Sequence, residues 1–297
     1  MPKSDPKFTP AITGNRVFIT GAASGLGRAL ALHYGRVGFR VCLSDVDDVR
    51  GLAALRTLEV AGGHGHYLTC DVRSADQLAA AAEWLLENWG GVDIVVNNAG
   101  VAVAGGITEI PFVDWQWIVD INLLGVVRGC RTFTPLFRNQ ASGHLINVAS
   151  MAGLVHPPLM SAYNATKAAV VALSESLRAE LSSDGIRVSV ACPAFFRTDI
   201  AESGRATNPA TDRLGRRLVK SARYTAEEIA ERIVRHAARG DFYIITHPEG
   251  HLAWMVKRYA PSRLYLATLG AITRLMQREA DSHNETAPAK AVMHDHP

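Results

Sequence analysis

RVFITGAASGLGRALALHYGRV, Arg16 to Val37, decides the reading of the fold. Arg16 to Thr20 is a short apolar run, Gly21 to Gly27 a glycine-rich turn, and Leu26 to Val37 a helical pattern, which together read as strand, loop and helix. The same unit recurs along the chain. Apolar runs at 39–44, 66–70, 92–97, 144–150 and 186–192 precede helical patterns at 47–61, 74–89, 112–138, 161–183 and 225–239, and a last run follows at 242–246. In the third helix Ala75, Leu78, Ala79, Ala82, Leu85, Leu86 and Trp89 recur at three- and four-residue steps, an apolar stripe that faces a sheet. The runs are nearly continuous rather than alternating, as strands are when helices cover both faces of a parallel sheet. The expectation is an α/β fold: a doubly wound Rossmann-type parallel sheet of about seven strands with helices on both faces.

Composition excludes several classes. The 297 residues are 48% hydrophobic, so the chain is not disordered, and 31 basic against 28 acidic side chains leave a formal charge of +3. That charge is too small and scattered for a nucleic-acid partner. Cys42, Cys70, Cys130 and Cys192 lie far apart in apolar runs with no CxxC pair, the pattern of reduced core thiols in an intracellular protein. The opening MPKSDPKFTP leads into no leader-like apolar stretch, and no run of about 18 apolar residues predicts a membrane span, so a soluble cytoplasmic protein is expected. Residues 14–247 read as one domain, preceded by an extension at 1–13. The stretch 194–222, rich in Arg, Ser and Thr, reads as a mobile lid, 248–276 as an amphipathic extension, and 277–297 as a disordered tail.

Gly21, Ser24, Gly25, Leu26 and Gly27 stand where a helix N-terminus can receive a pyrophosphate. A tight strand-to-helix turn without a ligand has the same spacing. Asp45, at the end of the second strand, can accept hydrogen bonds from the adenosine ribose hydroxyls of NAD and repel the 2′-phosphate of NADP. Neither Ser24 nor Val46 is basic, so NAD is expected over NADP, with Arg28 and Arg40 the residues able to reverse that preference.

Asn97-Asn98-Ala99-Gly100 ends the fourth strand, Ser150 the fifth, and Tyr163 and Lys167 stand four apart at the start of the next helix. An ammonium one turn from a phenol favours its ionised form, which suits proton transfer. With these five motifs in order (TGAASGLG at 20–27, Asp71-Val72, NNAG at 97–100, Ser150 with Tyr163-x3-Lys167, and Pro193 with Thr198), residues 14–247 resemble the single-domain short-chain dehydrogenase/reductase family. The resemblance implies Tyr163 as general acid/base, Ser150 as partner of the substrate oxygen, Lys167 lowering the tyrosine pKa and holding the nicotinamide ribose, and Asn122 holding a relay water. It also implies adenine contacts from Asp71 and Val72, adenosine-side and ribose contacts from Asn98, Ala99 and Gly100, and nicotinamide contacts around Pro193, Phe196 and Thr198. Ala194 departs from the family's usual Pro-Gly.

Stretches 101–108, 151–160 and the lid are the expected substrate walls. Val101, Val103, Met151, Leu154, Val155, Pro157, Pro158, Leu159, Met160, Phe195 and Phe196 make them apolar, so a hydrophobic secondary alcohol or ketone is the expected substrate. The expected activity is therefore that of an NAD-dependent alcohol dehydrogenase or carbonyl reductase. The alternatives are an NADPH-dependent reductase of the same fold and a dinucleotide-binding regulator without turnover. Ala168 to Leu173 is apolar all round its helix, which asks for a partner subunit in a homodimer or homotetramer. The 248–276 extension mixes Trp254, Met255, Tyr259 and Leu264 with Lys257, Arg258, Arg263 and Arg274. Packing beside the substrate entrance is favoured for it over peripheral membrane contact. His247 and His251 flank Pro248 and Gly250, which spoil a metal pair, and no metal is expected.

Overall fold

The computed structural model describes residues 14–198 and 204–282. The expected N-terminal extension, the tail beyond 282 and residues 199–203 of the expected lid lie outside the described residues. Parallel strands β1 (Arg16–Thr20), β2 (Arg40–Asp45), β3 (His64–Thr69) and β4 (Ile94–Asn97) form half of a sheet, and β6 (Gly143–Val148), β7 (Ile186–Ala191) and β9 (Tyr243–Ile244) the rest. The order is β3-β2-β1-β4-β6-β7-β9, so the winding reverses between β1 and β4, where an open sheet of this kind takes its ligand. The expected doubly wound Rossmann-type sheet is thus observed.

Each strand supplies both faces of the core. Val17 and Ile19 turn toward α1 (Gly25–Arg36), α2 (Asp48–Val60) and α9 (Ala226–Ala238), where Leu30, Leu58 and Ile229 meet them. Phe18 turns the other way, toward α3 (Ala75–Trp89), α5 (Gly125–Gln140) and α7 (Ser161–Leu181), with Leu85, Phe133 and Val170. All four cysteines are buried and free. The stripe on α3 is narrower than expected: Leu78, Ala81 and Leu85 are buried, whereas Leu86 is exposed. The period was legible, but the broad run of alanines hid its phase.

The expected helix over 112–138 divides into α4 (Phe112–Val119), one π turn (Asp120–Leu124) and α5. The described part of the lid holds a two-residue strand and a helix, β8 (Arg205–Ala206) and α8 (Pro209–Lys220). Strand β8 pairs with β5 (Val103–Ala104), and Arg205 is bonded to Asp114 at 2.5 Å. Short helix α6 (Ala152–Val155) precedes α7, and α10 (Pro248–Tyr259) and α11 (Ser262–Ser282) complete the chain. Helix α11 continues past the boundary expected at 276.

Buried His144 bonds to Ser189 at 2.8 Å, and burial lowers its pKa to about 3. The folded state therefore holds a neutral ring, while the unfolded chain takes up a proton below about 6.5. The stability from this site is full above that value and falls by about 1.4 kcal/mol for each pH unit below it. Melting curves between neutral and acid pH should show a steeper loss in the wild type than in His144→Leu; equal slopes would remove His144 as a cause.

Candidate active site

The turn after β1 is held from beneath. Thr20 Oγ1 accepts the backbone N–H groups of Asn98 and Ala99, each at 3.0 Å, and Asn98 Nδ2 donates to the Thr20 and Gly21 carbonyls at 2.9 and 3.1 Å. Gly21 and Gly25 have φ of +65° and +49°, a region that costs little only for glycine. Ser24 is the N-cap of α1 and makes no side-chain cap bond, so its hydroxyl does not cover the helix N-terminus, the end that attracts an anion. Asp45 accepts from the backbone N–H of Ala23 at 3.0 Å and of Val46 and Asp47 at 2.8 and 3.1 Å. Its carboxylate therefore joins the end of β2 to the glycine turn.

A crevice of about 350 Å³ runs along the carboxyl ends of the strands. It is lined by Gly21, Ser24, Gly25, Leu26 and Gly27 from the turn, Asp45 after β2, Asp71 and Val72 after β3, and Asn98, Ala99 and Gly100 after β4. Tyr163 and Lys167 from α7 and Pro193, Phe196 and Thr198 after β7 complete the expected set. Arg28 and Arg40 stand elsewhere: Arg28 reaches Thr57, and Arg40 lies over the Trp89 ring at 4.6 Å. Besides Lys167, the basic groups lining the crevice are Arg50 and Arg73, bonded to Asp47 and Asp71 at 2.6 Å. Sequence reading missed both, because it weighed only the immediate neighbours of Asp45 and the glycines. The residues fit a dinucleotide, with a helix N-terminus behind a glycine cradle and a carboxylate at the end of β2.

Helix α7 carries Tyr163 and Lys167. Tyr163 is buried and hydrogen-bonded to Ser150. Burial raises the phenol above its ordinary value, and the Ser150 bond works in the opposite direction. The net depression expected from Lys167 is not found. Lys167 Nζ donates to the Val148 carbonyl at 2.9 Å, lies 5.8 Å from the centre of the Tyr163 ring, and is itself lowered to about 8 by burial. Ser150 Oγ donates to the Pro193 carbonyl at 3.3 Å and accepts from the N–H of Ala152 at 3.1 Å. Asn122, in the π turn, donates to the Val101 carbonyl at 2.9 Å and accepts from its N–H at 2.8 Å. Gly100 passes between the two groups: a Cβ there would lie 3.3 Å from Asn122 Oδ1 and 3.4 Å from Lys167 Nζ. A buried chain fixes α7 to the sheet, since Asn97 donates to Asn147 at 2.9 Å and Asn147 to Ser174 at 3.0 Å.

A second hollow of about 400 Å³ opens on the other side of Tyr163. Met151, Val155, Pro157, Pro158, Leu159, Met160, Phe195 and Phe196 line it as expected. Val103 and Leu154 do not, being buried in the core, and Val101 faces the crevice instead. Ala102 and Ala104 take their place, because a neighbouring residue on a strand faces the opposite way. Leu214 and Leu218 of α8, inside the expected lid, and Gly250 and Ala253 of α10, which the expected walls did not include, line it as well. Helix α10 thus packs beside the apolar hollow.

A model of the short chain dehydrogenase family matches residues 15–209. The chain belongs to that family. Among the relatives of this short-chain dehydrogenase is a probable oxidoreductase, EphD, of Mycobacterium tuberculosis, 33% identical over 84% of this chain. The match covers 43% of that relative, so the chain spans less than half the length of its first curated relatives. A dehydrogenase/reductase of CLA biosynthesis from Lactiplantibacillus plantarum is 30% identical over 78% of this chain and 88% of its own. The solved short-chain dehydrogenase/reductase from Burkholderia phymatum, in complex with NAD, is 34% identical with a TM-score of 0.80, covering 84% of this chain and 95% of its own. A metagenomic short-chain oxidoreductase in complex with NADP is 29% identical with a TM-score of 0.63, covering 77% and 93%.

One side chain of this short-chain dehydrogenase that was read only as a failed metal ligand bears on the site. His247 is buried, and its Nε2 faces the Phe195 carbonyl at 3.2 Å, an acceptor, so Nε2 carries the proton. Nδ1 then accepts from the Ala194 N–H at 3.2 Å and from the Thr246 hydroxyl at 2.8 Å. These bonds fix the backbone at the position where the family's glycine is replaced. Nothing around His247 in sequence signals this, because two of its partners are backbone atoms about fifty residues away.

Proposed function

We propose that this oxidoreductase moves a hydride between NAD(H) and a hydrophobic secondary alcohol or ketone, with Tyr163 as general acid/base. The observation that carries the reading is the place of one hydroxyl. Tyr163 is the only titratable side chain, among the described residues, that lines both the crevice and the apolar hollow. In the oxidation direction its phenolate accepts the substrate hydroxyl proton, and Ser150 turns its O–H from the Pro193 carbonyl to the substrate oxygen. Bound in the crevice, the nicotinamide supplies the hydride acceptor or donor, while the protein supplies geometry. The hollow's apolar walls, broken by charged groups from α8, β8 and α10, favour a lipophilic carbonyl compound over a phosphorylated or acidic one. A panel of such alcohols and ketones, followed at the NADH absorbance with both dinucleotides, tests this; binding of NADH with no turnover of any ketone would favour a regulator.

Asp45 supports NAD, and the NAD complex of the Burkholderia phymatum relative agrees. Arg50 and Arg73 in the crevice favour the second reading, an NADPH-dependent reductase. Asp45→Ser should lower kcat/KM for NAD about tenfold to a hundredfold, the scale of a lost charged hydrogen bond, and raise it for NADP. An unchanged ratio of the two would reject the role given to Asp45.

The proposed assembly is a homodimer or homotetramer built on the outer side of α7, where Ala172 is exposed and Leu173 and Leu177 half-buried. Light scattering reads this directly, and a monomer would overturn it. Among the described residues no helix is long and apolar enough to cross a membrane. The proposed location is the cytoplasm.

A further inference from the structure

Helix α10 is apolar on two opposite sides. Gly250 and Ala253 face the substrate hollow, and Gly250 is seated on Met151, whose sulfur lies 3.2 Å from where a Cβ would be. On the outer side Leu252, Met255, Val256 and Tyr259 follow one another at three- and four-residue steps and are 66%, 37%, 50% and 73% exposed. Leu264 and Leu266 on α11 are also exposed. Single exposed leucines are ordinary, but a stripe along one face of a helix marks an interaction surface. The two helices are held to the domain by their other sides. Lys257 donates to the Leu154 carbonyl at 2.5 Å, the Tyr265 hydroxyl bonds to the Val155 carbonyl, and Trp254 packs on Tyr243 at 5.0 Å.

We infer that the outer side of α10 and the start of α11 dock on the surface of an anionic lipid bilayer. Charge selects this occupant. Between Pro248 and Arg274 the only carboxylate is Glu249, which lines the hollow, and Lys257 is bound inward to Leu154, whereas Arg258, Arg263 and Arg274 are basic and exposed. Cations flanking an exposed apolar stripe, with a tyrosine at its edge, match a negatively charged headgroup layer over hydrocarbon. A second copy of the chain fits less well, since a two-fold contact would bring Arg258 and Arg263 of both copies together. The opposite side of α10 is a wall of the hollow, so docking sets the hollow behind that helix. The inference does not rest on the substrate class proposed above.

Flotation of the full chain with phosphatidylcholine vesicles, and with vesicles that also contain phosphatidylglycerol, tests the inference without turnover. The protein should float with the anionic vesicles, be released by high salt, and stay behind with phosphatidylcholine alone. Leu252→Ser with Val256→Ser and Tyr259→Ser, and separately Arg258→Glu with Arg263→Glu, should each lower the bound fraction about tenfold or more. None of these side chains lines the crevice or the hollow, so turnover of a water-soluble ketone should stay unchanged in both variants. Equal flotation with both vesicle types, or retention by both variants, overturns the inference. So does a light-scattering result in which the same variants split a larger assembly, which would assign the stripe to a second copy.

Discussion

Tyr163→Phe should lower turnover about a thousandfold, the scale of a lost general acid/base, while NADH still binds with an affinity within a few-fold of wild type. The change removes one oxygen from a buried ring and leaves the crevice walls in place. No other titratable group lines both hollows among the described residues, so no neighbour stands ready to take over the proton. The pH profile gives a second readout. Burial raises the phenol, and the raised value delays formation of the phenolate that alcohol oxidation requires. Oxidation should therefore become faster as pH rises into the alkaline range, and ketone reduction, which needs the protonated phenol, should become slower. The depressed Lys167, near 8, loses its charge over the same range and so contributes least where the phenolate forms in the free protein. Kinetics across this range for wild type and Tyr163→Phe would check both points. A variant that keeps more than a few per cent of the activity, or a profile without the alkaline limb, removes Tyr163 from the chemistry.

The strands were legible because both faces of the sheet are covered, which forces continuous apolar runs such as Ile94 to Val96. The candidate site was legible where function constrains residue type at fixed spacing, as with Tyr163 and Lys167 on one face of α7. Other features left no such mark. Strands β5 and β8 are two residues each, too short for any period to show, and their pairing decides that Ala102 and Ala104 rather than Val103 face the hollow. The π turn at Asn122 keeps the apolar rhythm of the helices on either side, so the run from 112 to 138 reads as one helix. Helix α8 did carry a signal, Asn208 capping the N–H of Thr211 with Pro209 at the first turn, but a stretch dominated by Arg, Ser and Thr masked it.

Gly27→Ala should weaken dinucleotide binding at least about a hundredfold, about 2.7 kcal/mol, and lower Tm by several degrees. The Cβ of alanine would lie 2.0 Å from the Gly21 carbonyl oxygen and 2.6 Å from Asn98 Nδ2. Neither atom can yield cheaply. The first is backbone in a turn with positive φ, and the second donates to the Thr20 and Gly21 carbonyls, so relief of the clash must lift the turn from α1 or break those bonds. Overpacking of this kind costs about 1–3 kcal/mol in stability, and the turn it displaces is the one whose amides face the crevice. Gly270→Ala is the matched control, since only the end of the Arg274 side chain, 3.8 Å away, comes near its Cβ. There alanine should leave Tm unchanged or raise it slightly, because glycine inside a helix costs about 1 kcal/mol relative to alanine. Fluorescence titration with NADH and thermal melts on both variants separate a general effect of added methyls from the specific one. Wild-type affinity in Gly27→Ala would show that the turn can move without cost, and the argument from Gly21 to the pyrophosphate site would fail with it.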